Sequence, residues 1–247
     1  MRRAAPVMVA LSFVGAAAPA VAQMSVDGRV EVTTDDRRRG ISWSDGKPTA
    51  AAGLTLGLPA GFDIGARVSG TRGDPRHGDS DVVIDPTLGY RRELGGGFRV
   101  DAFAQGHIFA GGAGGLSYGE GGVDVGFLLG PAELIGEARY APDQAAIGGD
   151  NLYLGARTRV GVPATPFTVT ASIGRSSGSV DDPIRAARLR PDGRYANWSL
   201  GVERVTGPIT LTVEYTGTDI GDAVSVSPFA NRRDSGDRLA ARAAFSF

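Results

Sequence analysis

Apolar and polar residues alternate along most of this chain with a period of two. In the clearest case Phe98, Val100, Ala102, Ala104 and Ile108 fall on one side, and Arg99, Asp101, Gln105 and His107 on the other. Such alternation predicts a strand with one apolar and one polar face. The same reading predicts twelve strands between residue 26 and the last residue, Phe247. Tight turns follow every second strand, at Pro59-Ala60-Gly61, Gly95-Gly96-Gly97, Gly130-Pro131, residues 163–166 and Thr206-Gly207-Pro208. Between them lie longer polar loops, at 35–48, 72–80, 110–115, 142–150, 176–193 and 218–236. An even number of strands joined alternately by short turns and long loops is the pattern of a transmembrane antiparallel β-barrel.

A sandwich or a lipocalin would alternate too, with the apolar face inward. Here the polar face carries full charges in mid-strand, such as Glu137 with Arg139 and Arg157 with Arg159, which suits a wet lumen. Aromatic residues gather near strand ends, among them Phe62, Tyr90, Phe98, Tyr140, Phe167 and Tyr215. Arginine on a lipid face would cost roughly 2–4 kcal/mol at the midplane, so the apolar face is assigned outward. The last segment, Asp237 to Phe247, sets Leu239, Ala241, Ala243, Phe245 and Phe247 against Arg238, Arg242 and Ser246. It resembles the terminal strand of bacterial outer-membrane barrels, which implies recognition by the barrel-assembly machinery. At the other end Arg2 and Arg3 precede an apolar run over residues 4–18, and Ala20-Val21-Ala22 has the small-residue cleavage pattern. A cleaved signal peptide over 1–22 is expected, leaving one barrel domain over 23–247 in the outer membrane of a Gram-negative bacterium.

Composition agrees with a barrel. Gly numbers 38 without a collagen-like period, and the chain has no Cys to build a disulfide framework. The 26 basic and 27 acidic residues nearly cancel, which argues against a nucleic-acid partner. Beyond the expected signal no apolar stretch approaches the length of a spanning helix.

The loop after the first strand reads Thr34-Asp35-Asp36-Arg37-Arg38-Arg39-Gly40-Ile41-Ser42-Trp43-Ser44-Asp45-Gly46-Lys47-Pro48. It resembles the amino-terminal signature of the TorF family of porin-type proteins at Asp35, Arg39, Gly40, Ile41, Ser42, Ser44 and Pro48. Asp36 stands where that family has an aromatic residue. Arg194-Tyr195-Ala196-Asn197-Trp198-Ser199-Leu200-Gly201 resembles a later strand of the same family. The resemblance implies a channel and carries no catalytic residues.

The candidate pore-lining residues are Arg67, Arg99, Asp101, His107, Asp124, Glu137, Arg139, Arg157, Arg159, Glu203, Glu214 and Arg242. Basic and acidic residues on the inner face are nearly equal in number, so counting alone gives no charge preference. Two readings stay open: rows of opposite charge that set up a transverse field, or a wall whose charges are mutually paired. For residues 35–45 the favoured expectation is a solvated loop held by local ion pairs. The alternative is a constriction folded inward, or a site for lipopolysaccharide phosphates. Asp35-Asp36 and Asp181-Asp182 lack a recognised calcium-loop spacing. A hydrolase would need a nucleophile beside a base; His77 is expected to be solvated, and His107 has no serine at a signature position near it. The expected function is passive diffusion of small polar or charged solutes, without a cofactor. Outer-membrane lipid and lipopolysaccharide are the expected surroundings. A closed barrel that binds a partner through its loops is the competing expectation.

Overall fold

A computed structural model describes residues 24–221, 227–230 and 232–247, so the expected signal peptide lies outside the described residues. The strands are β1 (Ser25–Thr33), β2 (Arg37–Arg38), β3 (Ile41–Ser42), β4 (Thr49–Gly57), β5 (Phe62–Asp74), β6 (Ser80–Gly95) and β7 (Phe98–Ala110). They continue as β8 (Tyr118–Leu129), β9 (Ala132–Gln144), β10 (Gly149–Gly161), β11 (Phe167–Ser177), β12 (Tyr195–Thr206), β13 (Ile209–Thr218) and β14 (Arg238–Ser246). Two one-turn helices, α1 (Pro183–Ala186) and α2 (Arg232–Ser235), lie in the loops. Among the described residues, β1 and β4 to β14 close into one antiparallel barrel in which each strand pairs with its neighbours in the chain, and β1 meets β14 at the seam. Closure pairs every strand edge, the condition for sheet structure in lipid.

The expected parity holds around the barrel. Leu54, Leu88, Leu154, Leu200 and Leu239 point outward, each more than half exposed. Register locks the faces across strands: Arg67 pairs with Asp85, Arg99 with Gly126, and Thr212 with Arg242. A slip of one residue would turn every one of these charges into lipid. Aromatic pairs mark the turn end of the belt, with Phe62 and Tyr90 at 4.9 Å between ring centroids and Phe98 and Phe127 at 4.6 Å. Tyr140, Trp198 and Tyr215 lie outward near the loop end.

The seam includes Phe247. Its backbone N–H donates to Gly28 O at 2.9 Å, and Gly28 N–H donates back to Phe247 O at 2.8 Å. A Cβ on Gly28 would stand 2.4 Å from the Phe247 ring, so only glycine lets that ring lie across β1.

The strands run further at the loop end than alternation suggested. β5 reaches Asp74 and β6 starts at Ser80, so the expected 72–80 loop shrinks to a 3₁₀ turn at Pro75–His77. β9 likewise runs to Gln144, before a 3₁₀ turn at Ala145–Ile147. The extra ladder carries inner side chains up to a layer of packed loops.

Leu154→Arg would place a cation on the outer face near the middle of β10. It is expected to lower barrel stability by roughly 2–4 kcal/mol, read as a reduced urea midpoint for the heat-modifiable band in lipid vesicles.

Candidate functional site

The segment 34–48 between β1 and β4 is not the solvated loop that its polarity suggested. It folds into the lumen, with Asp35, Asp36, Ile41, Ser42, Trp43 and Ser44 all buried. Its fold is a polar knot. Asp35 accepts from Ser42 Oγ at 2.5 Å and from Arg37 at 3.1 Å. Ser44 Oγ accepts from Asp36 N at 3.0 Å, and Trp43 N donates to Asp36 O at 2.7 Å. The short β2–β3 ladder turns at Arg39 and Gly40, both with positive φ. Gly40 is needed twice over: its φ is 79°, and a Cβ would lie 2.6 Å from Thr218 Cγ2.

The knot is anchored to the barrel wall on several sides. Arg38 reaches Asp85 at 2.9 Å and Ser69 Oγ at 3.1 Å, with its guanidinium 4.0 Å from the Trp43 ring centroid. Arg39 reaches Glu120 at 2.5 Å and sits over Tyr153. Arg67 pairs with Asp36 at 3.3 Å and with Glu31 at 2.8 Å. Tyr195 Oη donates to Arg39 O at 2.9 Å. The two stretches that suggested a family resemblance therefore touch: one is the inserted segment, and the other presents Tyr195 and Asn197 to it. Removing one partner from such buried pairs leaves the other uncompensated, which makes the anchors stiff as a set.

Above the segment the loops form a cap. His77, expected to be solvated, is fully buried. Its ring stacks on Phe109 at 4.5 Å and tilts against Trp43 at 4.6 Å, and neither ring nitrogen has a hydrogen-bond partner. The reason is that Pro75–His77 turns inward over the lumen, under the loop that carries α1. Arg76 and Arg188 clasp each other through backbone: Arg76 Nη1 donates to Arg188 O at 2.5 Å, and Arg188 Nε donates to Arg76 O at 2.8 Å. Arg188 Nη1 also donates to Leu116 O and Ala146 O, so one side chain joins four loops. Asp182, one of the acids considered for calcium, instead caps α1 by accepting from Ile184 N and Arg185 N. Asp35 and Asp36 are likewise engaged within the inserted segment and its anchors.

Electrostatics at the cap follow from burial. Burial lowers the His77 pKa well below its ordinary value, and Arg188 and Arg76 push the same way. Burial brings Arg188 down to about 10. Asp234, whose carboxylate lies 3.6 Å from Arg76, is raised to about 7 by burial and by Asp74.

The twelve candidate residues all sit on barrel strands with their side chains inward, but they do not form one site. Arg99, Glu137, Arg139, Arg157, Arg159 and Glu203 line a cavity of about 740 Å³, and Glu214 borders it too. His107 stands at its upper end, held by Asp85 at 2.8 Å and packed on Tyr118. Arg67 lines a second cavity, of about 940 Å³, and Arg242 borders both. Asp101 and Asp124 lie behind the arginines that cover them. Mutual pairing describes most of this wall: Arg99 joins Asp101 and Glu133, Arg139 joins Asp124 and Glu137, Arg157 joins the same two acids, and Arg159 joins Glu203. Sequence reasoning passed over Arg76 and Arg188, and it gave the loop that carries Arg38, Arg39 and Trp43 an inward constriction only as the less favoured alternative. The signal available was a run of three arginines, with two inward acids, Asp85 and Glu120, that among the described residues meet only His107 on the wall close by.

A closed antiparallel barrel with an apolar outer belt, a charged lumen and an inserted loop is a transmembrane β-barrel of the outer-membrane type. Residues 16–242 match the family described as "Bacterial protein of unknown function (Gcw_chp)", and the chain belongs to that family. No curated protein matches the sequence closely enough to count as a relative. Similar solved structures include the NanC porin, with a TM-score of 0.56 at 14% identity over 90% of this chain and 99% of that one. The KdgM porin in complex with disordered oligogalacturonate has a TM-score of 0.55 at 9% identity, over 90% of this chain and 98% of that one. LpxR from Salmonella typhimurium has a TM-score of 0.50 at 10% identity, over 90% and 99%. At these identities the likeness is one of fold.

Trp43→Ala is expected to weaken docking of the inserted segment by about 3 kcal/mol. Limited proteolysis should then cut between residues 34 and 48 while the barrel keeps its heat-modifiable mobility.

Cap stability should depend on pH with two opposing signs. A depressed His77 favours the closed cap fully above about 6.5, the pKa of a free histidine, and loses that contribution as pH falls below it. A raised Asp234 does the reverse, because its protonation below about 7 relieves the closed cap. In an Asp234→Asn variant, acidification below about 6.5 should therefore lower the protection of amides 186–190 relative to their intrinsic exchange rates, and adding His77→Phe should remove that dependence.

Proposed function

We propose that this protein is a porin-like channel of the bacterial outer membrane for small polar or charged solutes. The inserted segment acts as its constriction and the loop cap as its outer gate. The observation that carries this reading is the division of the lumen. Charged side chains, with Arg157 and Arg159 the more exposed among them, line a cavity of about 740 Å³ that runs from the turn half up to the inserted segment. The loop half of the lumen is packed by Trp43, His77, Phe109 and Arg188. A barrel serving only as a scaffold would have no need of a charged cavity alongside a separately anchored plug. The resemblance to the TorF signature supports the same reading, since the matching residues are those that build and seat the plug.

In this reading transport is passive: the polar wall replaces part of a solute's hydration, and no reaction and no cofactor is involved. Residues 1–22 serve as the export signal. The apolar belt meets outer-membrane lipid, with lipopolysaccharide at the loop end, and the strand leading to Phe247 is what the barrel-assembly machinery takes up. The competing reading, a closed barrel that binds through its loops, draws support from the same packed cap.

Single-channel recording separates the two readings. The refolded chain Gln23–Phe247 in a planar bilayer should give discrete, brief steps. Arg38→Ala with Arg39→Ala, which frees the anchors on Asp85 and Glu120, should lengthen or enlarge them. Silence from both inserted barrels would leave the closed-barrel reading.

A further inference from the structure

The channel reading leaves the class of solute open, and the near equality of acids and bases on the inner face does not decide it. Exposure does. Around the cavity two arginines stand clear of their acids, while Arg99 and Arg139 lie nearly level with theirs. Arg157 exposes 44% of its side chain, while its partners Glu137 and Asp124 expose 10% and 12%. Arg159 exposes 45% against 15% for Glu203. Outside the cavity lining, on β6, Arg91 exposes 64% against 18% for Asp101.

Register explains the arrangement. Asp101 lies directly across from Asp124, and Asp124 directly across from Glu137, so three carboxylates stand side by side on β7, β8 and β9. Like charges in that position repel at short range. They are compensated by Arg91, Arg99, Arg139 and Arg157, whose longer side chains reach over the row. A short acid on the wall and a long base above it give a neutral count and a basic surface. Glu214 and Arg242 form no ion pair among the described residues and offset each other.

We propose that the lumen prefers small oxyanions, the carboxylate or phosphate groups of a solute, with Arg157 and Arg159 as the exposed pair that meets them. Guanidinium groups suit this role because their planar donors match two oxygens at once. The inference rests on the channel reading for its flux but not for its binding, since Arg157 and Arg159 border the cavity with the inserted segment in place.

Two measurements on the refolded chain test it. In a bilayer with a potassium chloride gradient, the zero-current potential should have the sign of an anion-preferring pore. Arg157→Gln with Arg159→Gln should shift it toward the cation sign, whereas Glu203→Gln, which releases Arg159, should shift it further toward the anion sign. A cation sign in the parent, or no shift in either variant, would overturn the inference and leave a channel standing. Calorimetric titration of the detergent-solubilised barrel with inorganic phosphate, gluconate and glucose is the second measurement. Saturable binding of phosphate or gluconate but not glucose, lost in the double arginine variant while heat-modifiability is kept, would support the inference even from a barrel that passes no current. In that case the channel reading would fall instead. Binding of phosphate alone or gluconate alone would identify which oxyanion the wall serves. In a barrel that passes no current, the absence of anion binding would sink it.

Discussion

Everything in this structure follows from one constraint: a sheet in lipid must satisfy all of its backbone hydrogen bonds within itself. Closure does that, through a seam that runs to Gly28 and Phe247. Closure also fixes the period of two, because each strand then has one face in lipid and one in the lumen. Once Leu154 faces out, Arg157 and Arg159 face in, and the same parity carries Asp124, Glu137 and Glu203 to the same enclosed surface. The lumen is crowded with charge because the chain has no other place for it.

A crowded lumen brings a second demand, that each charge find a partner. At the turn half the partners are neighbours on adjacent strands, and water screens what remains. At the loop half there is less water, and the partners come from the inserted segment. Arg38 and Arg39 reach Asp85 and Glu120, two buried acids whose other close partner on the wall is His107. The plug and the wall therefore complete each other. Such pairs hold the segment in one position more than they add net stability, because desolvation offsets much of their attraction. Trp43, His77 and Phe109 supply the apolar contact that makes docking favourable, and Arg188 closes the layer above them.

Strand number, parity and the alternation of turns with loops were all legible in the sequence, because each depends on a local period or a local turn residue. The three glycines at 95–97 and the Gly207-Pro208 turn stop strands wherever they occur. The inserted segment was not legible in the same way. Residues 35–48 are polar, and a polar segment looks alike whether water or the charges of a lumen solvate it. Only Ile41 and Trp43 stood out as apolar residues in a supposed surface loop. His77 was misjudged for a related reason, since its burial depends on a turn at Pro75 that aims it across the barrel onto two aromatic rings. Strand 195–206 showed its pattern, but that Tyr195 meets Arg39 and Asn197 meets Gly40 is a contact across more than 150 residues, outside the reach of any period.

Charge balance gives the last example of what a linear reading loses. Equal numbers of acids and bases describe the lumen correctly and still mislead, because a solute meets surfaces and not totals. Aspartate is short and stays at the wall, and arginine is long and arches over its neighbour. The row formed by Asp101, Asp124 and Glu137 makes this unavoidable: three carboxylates abreast can be tolerated only when cations lie across them. The acids thus decide where the arginines go, and the arginines decide what the water-filled half of the barrel presents. A wall built this way would keep its basic surface even if further acids were added behind it, and would lose it on neutralising Arg157 and Arg159, the two exposed arginines that border the cavity.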